Sequence, residues 1–338
     1  MKALSLSSPA PVETAPLRLD DLPVPEPAGD EVRVRVEACG ICRTDLHVVE
    51  GELPPQVPHI VPGHQVVGIV DCCGSQAARF KEGERVGIAW LRYTCGACRY
   101  CQQGNENLCP NARFTGWHEN GGYAEYAVVR EDFAYAIPPA LGVAAATPLL
   151  CAGIIGYRAL RRADLRPGCR LGLYGFGSSA HIAIQVARHL GCTVYVMTRD
   201  LPHQALARQL GATWAGGAYD APPEKLDSAV LFAPAGELVL PALEALEQGG
   251  TLALAGIYLS DIPKLNYERH LFHEKNLRSV TANTRGDGEE LLRIAAEIPL
   301  RPQTTAFPLA QANEALQALK HDRIQGSGVL MVAENISR

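Results

Sequence analysis

Residues 170–181 read RLGLYGFGSSAH. An apolar run, residues 170–174, meets Gly175-Phe176-Gly177-Ser178-Ser179-Ala180, and residues 178–190 carry a helical pattern of apolar positions. A strand that turns into a helix over a bound dinucleotide needs a first glycine for the tight turn and a second so that the backbone can approach a pyrophosphate. It also needs a small third residue for close helix–strand packing. Gly175, Gly177 and Ala180 meet those needs, and the six residues 175–180 are candidate cofactor contacts. Alone, the pattern is equally a plain glycine turn, so the neighbouring texture decides. Downstream the chain alternates: strand 193–197, helix 202–210, strand 228–232, helix 236–247, strand 251–256. Such alternation builds a parallel sheet with helices on both faces, an α/β doubly wound fold.

The end of the second strand selects the nucleotide. About twenty residues past the turn an acidic residue would accept from a free ribose. Here Thr198 stands at that place and Arg199 follows it. A hydroxyl with a guanidinium suits a 2′-phosphate, because arginine offers a planar fork of donors. The pair therefore points to NADP rather than NAD. The alternative is that Arg199 stacks on adenine or faces solvent while Asp200 serves the ribose.

Upstream the texture differs. Residues 31–37, EVRVRVE, alternate strictly, and short apolar runs at 65–70 and 123–129 lie between turns rich in Pro and Gly, which reads as a β-rich domain. After residue 277 come a strand (278–282), two amphipathic helices (289–297 and 312–320) and a last strand (328–332). That tail is assigned to the first domain. The expected division is 1–151 with 279–338 as one discontinuous domain, and 152–278 as an inserted Rossmann domain.

The bulk properties agree. The chain has 338 residues, 47% hydrophobic and 20% charged, which suits two packed domains and excludes wholesale disorder. A net charge of -5 with pI near 6.1 gives no compositional support for a nucleic-acid partner. No apolar run approaches the roughly 18 residues of a membrane span, so no membrane partner is expected. The cysteine count is odd and high, at eleven. In a long chain whose start does not resemble a secretory signal, that suits a cytoplasmic protein whose thiols bind metal or do chemistry.

Four of those thiols, Cys95, Cys98, Cys101 and Cys109, lie among turn formers such as Gly96, Gly104 and Pro110. Closely spaced thiolates wrapped by turns make a closed tetrahedral zinc site, structural in kind, with an iron–sulfur cluster as the rival. A zinc ribbon for nucleic acid is discounted by the modest local basic content. Cys39, His64 and Cys151 are dispersed, and each alone reads as a buried core residue. Together they form a recognised catalytic set, two thiolates and an imidazole with one corner open.

The segments CGICRTDLHVVEGELP, PGHQVVG, the four-thiol loop, GGYAEY, PLLCAGIIGYRAL and GFGSSA occur in one order over residues 1–332. In that order they resemble the zinc-dependent alcohol dehydrogenases of the medium-chain dehydrogenase/reductase superfamily. The resemblance implies a GroES-like β-rich catalytic domain, built from the N-terminal half and the tail, around an inserted Rossmann domain. It implies two zinc ions: a catalytic one on Cys39, His64 and Cys151, and a structural one on the four-thiol loop. Cys42 would not be a ligand. Thr44 would take the alcohol proton, and His47 would pass it through the cofactor ribose to solvent. Asp45 would orient the zinc-bound histidine.

Two departures stand out. Gln65 replaces the usual glutamate after the histidine, removing a negative charge beside the metal. Near the C-terminus, Gln325-Gly326-Ser327-Gly328 lacks the arginine that relatives offer to the pyrophosphate. Leu53, Trp90 and Trp117 fall near family positions lining the alcohol pocket, although aromatic core packing accounts for either tryptophan equally well. The implied activity is hydride transfer between a nicotinamide cofactor and a small or medium primary alcohol or its aldehyde. Polyol or cinnamyl-type alcohols are the alternative substrates, and a non-catalytic redox sensor is the alternative class. A homodimer or homotetramer is the family expectation.

Overall fold

The computed structural model describes residues 1–298 and 300–332. Residues 299 and 333–338, placed in the first domain by the sequence reading, lie outside the described residues. The chain divides into two compact units, one of Met1–Cys151, Ala282–Glu297 and residues 301–332, the other mainly Ala152–Thr281.

The first unit is organised by the strand Glu31–Ile41, which pairs antiparallel with Gln65–Cys73, Tyr126–Arg130 and Ser327–Met331. Arg85–Ile88 and Ala134–Ala136 extend one side of the sheet, and Thr304–Pro308 closes the other. Val32, Val34 and Val36 enter the core in the expected alternation. At Glu37 the ladder slips, for Val36 pairs with Gly68 and Ala38 with the adjacent Val67. An extra residue in one strand reverses which face each later side chain meets. The core residues after the slip are accordingly Cys39 and Ile41.

The second unit is a six-stranded sheet, parallel throughout. Its order is Trp214–Gly216, Thr193–Met197, Arg170–Tyr174, Leu226–Leu231, Leu246–Leu254, Asn276–Ser279. In chain order that is third, second, first, fourth, fifth, sixth, the doubly wound arrangement with its switch point beside the first strand. Three elements differ from expectation. The strand anticipated at 278–282 forms over Asn276–Ser279 and pairs with Leu246–Leu254, so it belongs to this sheet and not to the tail of the first unit. The helix anticipated over 236–247 is a 3-10 turn at Gly236–Leu238 followed by Val239–Ala245. The next strand begins at Leu246, and its register against Leu226–Leu231 shifts between Leu246 and Thr251, where Gly249 takes a left-handed conformation (φ 74°).

Candidate functional site

The local fold around Cys42 sets the first cluster. The strand ends at Ile41, and Cys42, extended at φ -138° and ψ 160°, becomes the N-cap of the helix Arg43–Glu50. Asp45, at the third helical position, reaches back so that its Oδ2 accepts the Cys42 N–H at 2.9 Å, the reciprocal half of a capping box. The Asp45 Oδ1 accepts from Nδ1 of His64 at 2.8 Å and from the N–H of Gly63 at 3.2 Å. Asp45 is only 2% exposed and His64 is fully buried. With Nδ1 committed, Nε2 of His64 is left buried without a hydrogen-bond partner.

The sulfur atoms of Cys42 and Cys151 and a ring nitrogen of His64 lie within 4.8 Å of one another, and the two sulfurs are 4.0 Å apart. This corrects the expected ligand set, in which Cys39 held that place and Cys42 was set aside. The slip at Glu37 sends the Cys39 side chain into the core, where it is fully buried beside its own Gly40 carbonyl at 3.7 Å. Burial holds its thiol well above the ordinary range. Cys42 behaves oppositely. Its hydrogen bond with Cys151 pulls it well down, while Cys151 rises by the same contact. Burial opposes charge on His64, but Asp45 overrides it and lifts the ring to about 10. Two thiolates and an imidazole with one corner free match the donor set of a catalytic zinc, and the partnerless Nε2 is where such an ion would bind.

Of the other expected residues, Thr44 is buried with its hydroxyl 3.8 Å from the Cys42 sulfur. His47 lies farther along the helix, its Nδ1 hydrogen-bonded to Glu52, a partner absent from the sequence expectations. Gln65 is buried, its side chain lying against Gly40, where any β-carbon would come within 2.9 Å of the Gln65 amide carbon. Trp90 presents its ring edge-on to His64 at 5.0 Å. It is also the inner member of a stack with Phe114 at 4.9 Å and Trp117 at 6.0 Å. Trp117 is fixed by donating Nε1–H to the Pro54 carbonyl at 2.9 Å, and Leu53 packs on the same core. Phe114 has no distinguishing sequence signal beyond its aromatic type.

The four-thiol loop gathers all four sulfur atoms within 4.8 Å of one another. Cys95 and Cys109 are 3.5 Å apart, as are Cys98 and Cys101. A zinc ion with four Zn–S bonds of about 2.3 Å requires sulfurs about 3.8 Å apart, so the loop fits one. Backbone N–H groups of Ala97 and Cys98 already favour the thiolate of Cys95, drawing it down to about 6. The buried Glu106 in the same loop takes the Arg285 guanidinium at 2.8 Å.

In the second unit, Gly175 needs its left-handed φ of 86°, and a β-carbon there would stand 2.8 Å from the Ala233 nitrogen. Gly177 is different, for a β-carbon on it would meet nothing within 4 Å. That open space faces the start of the helix Ser178–His189, whose N-cap, Gly177, offers it no side chain. A pyrophosphate fits such an end. Phe176 and Ala180 are buried, and Ser178 and Ser179 open the helix. Tyr174 pairs with Met197, so Thr198 and Arg199 stand at the same sheet end as the turn. Thr198 is buried, whereas the Arg199 side chain is 80% exposed, 3.9 Å from Asp200.

The family described as alcohol dehydrogenase GroES-like domain matches residues 28–139, and that described as zinc-binding dehydrogenase matches residues 180–297. The chain is 52% identical to "Probable alcohol dehydrogenase AdhA" of Mycobacterium tuberculosis over 98% of its own length and 97% of that protein's. It is 34% identical to an alcohol dehydrogenase of Geobacillus stearothermophilus, covering 94% and 96%. Among solved structures, a cinnamyl alcohol dehydrogenase from Sorghum bicolor superposes with a TM-score of 0.88 at 27% identity, covering 98% of each chain. The chain belongs to the zinc-binding alcohol dehydrogenases of the medium-chain dehydrogenase/reductase superfamily, and it is an oxidoreductase of that family.

Proposed function

We propose that the protein is a zinc-dependent alcohol dehydrogenase or aldehyde reductase. It exchanges a hydride between NADP(H) and a small or medium primary alcohol, or the corresponding aldehyde. The observation that carries this reading is the buried, partnerless Nε2 of His64 facing Cys42 and Cys151. Those three residues would hold the ion, and Cys95, Cys98, Cys101 and Cys109 a second one. A zinc ion in the first cluster supplies Lewis acidity, polarising a substrate oxygen.

The chain's own residues do the rest. Asp45 holds His64 in the tautomer that turns Nε2 toward the cluster. Thr44, buried beside Cys42, would accept the alcohol proton, and His47, hydrogen-bonded through Nδ1 to the Glu52 carboxylate, would carry a proton outward. The Trp90, Phe114 and Trp117 stack gives the substrate an apolar wall, which favours unbranched or aromatic alcohols over polyols. Gly177 and the helix behind it receive the pyrophosphate, and Arg199, exposed and able to reorient, would meet a 2′-phosphate. The enzyme works as a cytoplasmic homo-oligomer in this reading.

Zinc per chain is measured first. Absorbance of the reduced cofactor is then followed with a panel of alcohols and aldehydes, using NAD and NADP in turn. Two zinc ions with turnover of a simple primary alcohol support the proposal. One zinc ion and no turnover would sink it, and a strong preference for NAD would overturn the reading of Thr198 and Arg199.

A further inference from the structure

Cys169 and Cys192 belong to neither metal cluster. They immediately precede the strands Arg170–Tyr174 and Thr193–Met197, whose parallel register opens with Arg170 opposite Thr193. One residue earlier, the two cysteines therefore stand side by side, and the Thr193 N–H donates to the Cys169 carbonyl at 3.0 Å. Adjacent strands run about 4.8 Å apart, inside the Cα separation of about 4.4–6.8 Å that a disulfide spans. The sulfur atoms are already 3.6 Å from each other. Cys72 and Cys73 show the contrast: as consecutive residues of one strand they point to opposite faces.

The two thiols have unequal surroundings. Cys192 is fully buried and Cys169 is half-buried, so a small reagent meets Cys169 first. The hydrogen bond that the two sulfurs share draws Cys192 down to about 7 and holds Cys169 up. The inner sulfur is thus a ready nucleophile aimed at the outer one.

We propose that Cys169 and Cys192 form a reversible oxidation site that takes up a peroxide and closes to a disulfide. The Cys169 sulfur attacks one peroxide oxygen, the O–O bond breaks, and the products are a sulfenic acid and water. The Cys192 thiolate then attacks the Cys169 sulfur, the S–O bond breaks, and the departing hydroxide takes a proton from solvent to become a second water. Two thiols lose two electrons and the peroxide gains them. The new bond ties the amino ends of two strands that are already in register. The turn at Gly175 lies at the carboxyl end, five strand residues or about 16 Å away. Closure therefore leaves the nucleotide turn as it is and adds a cross-link under it.

The test uses the zinc-loaded protein and hydrogen peroxide at one to a few equivalents. Free thiols are then alkylated, and the peptides are mapped without reductant. A linked Cys169–Cys192 peptide, two hydrogens lighter than its parts and released by dithiothreitol, is the expected result, with activity kept within twofold. In Cys192→Ser the reaction stops early, and a dimedone adduct accumulates on Cys169. Complete alkylation of both cysteines after oxidation, or a dimedone adduct on Cys169 in the unsubstituted protein with no linked peptide, would overturn the proposal.

Discussion

Asp45 ties the imidazole of His64 to the backbone of Cys42, accepting from the ring at 2.8 Å with one carboxylate oxygen and from the N–H at 2.9 Å with the other. One carboxylate therefore fixes the orientation of one candidate ligand and the helix start that presents another. Replacing Asp45 by Asn removes the charge while keeping the shape. Zinc affinity of the cluster should fall by about 10- to 100-fold, the range typical of groups that support a metal-bound histidine. Competition with a chelator, read as zinc remaining per chain, measures this, and retention of unsubstituted affinity would refute it.

The assignment of Cys42 over Cys39 separates two variants cleanly. Cys42→Ala should lose one zinc ion per chain and nearly all turnover. Cys39→Ala should keep both ions and most activity, with a stability loss of about 1 kcal/mol for the buried sulfur removed. Zinc content and kcat for the two proteins decide the matter, and the opposite pattern would reinstate Cys39.

Arg199 makes a graded prediction about the cofactor. If its guanidinium meets a 2′-phosphate, Arg199→Ala should raise KM for NADP by about tenfold, the equivalent of one charge-assisted hydrogen bond of about 1.4 kcal/mol. KM for NAD should move by less than twofold. Equal effects on both cofactors would place Arg199 outside the recognition of that phosphate.

His181 gives the second unit a pH dependence. It is fully buried, its Nδ1 lies 3.3 Å from the Gly177 carbonyl, and burial pushes its pKa down to about 4 from 6.5. Between those values the unfolded chain binds a proton that the folded chain refuses, so stability must rise with pH there. The contribution is complete above about pH 6.5 and declines as pH falls toward 4, by about 3 kcal/mol in all. His181→Gln cannot titrate. Urea midpoints of both proteins from pH 7.5 to 5 should therefore diverge in slope, the unsubstituted protein losing more stability on acidification.

Much of the fold is legible in the amino-acid sequence. The helix Ala312–Lys320 falls where its periodicity places it, and the strands Arg170–Tyr174 and Thr193–Met197 coincide with their apolar runs. The four-thiol cluster followed from spacing, because close thiols cannot avoid one another. Cys39 against Cys42 did not follow. Strict alternation from Val32 to Val36 gives no warning that Glu37 is an extra residue, since a slip in register is a property of the pair of strands. The helix-start chemistry of Cys42 and Asp45, an N-cap residue with an acid three residues later, is a usable signal of where the strand ends. Phe114 and Glu52 were invisible for another reason. Each lies against a neighbour, Trp90 or His47, that only the folded chain brings to it.

The tight seat of Gly63 bears on how the enzyme can be re-engineered. Its φ is 98°, and a β-carbon there would come within 2.3 Å of the Tyr123 ring and 2.8 Å of the Cys39 sulfur. Its own N–H helps hold Asp45. A single methyl group at this position would thus displace the residue that carries His64 and loosen the carboxylate that aims it. If the aromatic stack is the substrate wall proposed above, a mutagenesis library meant to widen the range of alcohols should leave 63 and 123 untouched and spend its diversity on 90, 114 and 117. There, a smaller side chain opens room along an aromatic wall without disturbing the backbone that presents the histidine.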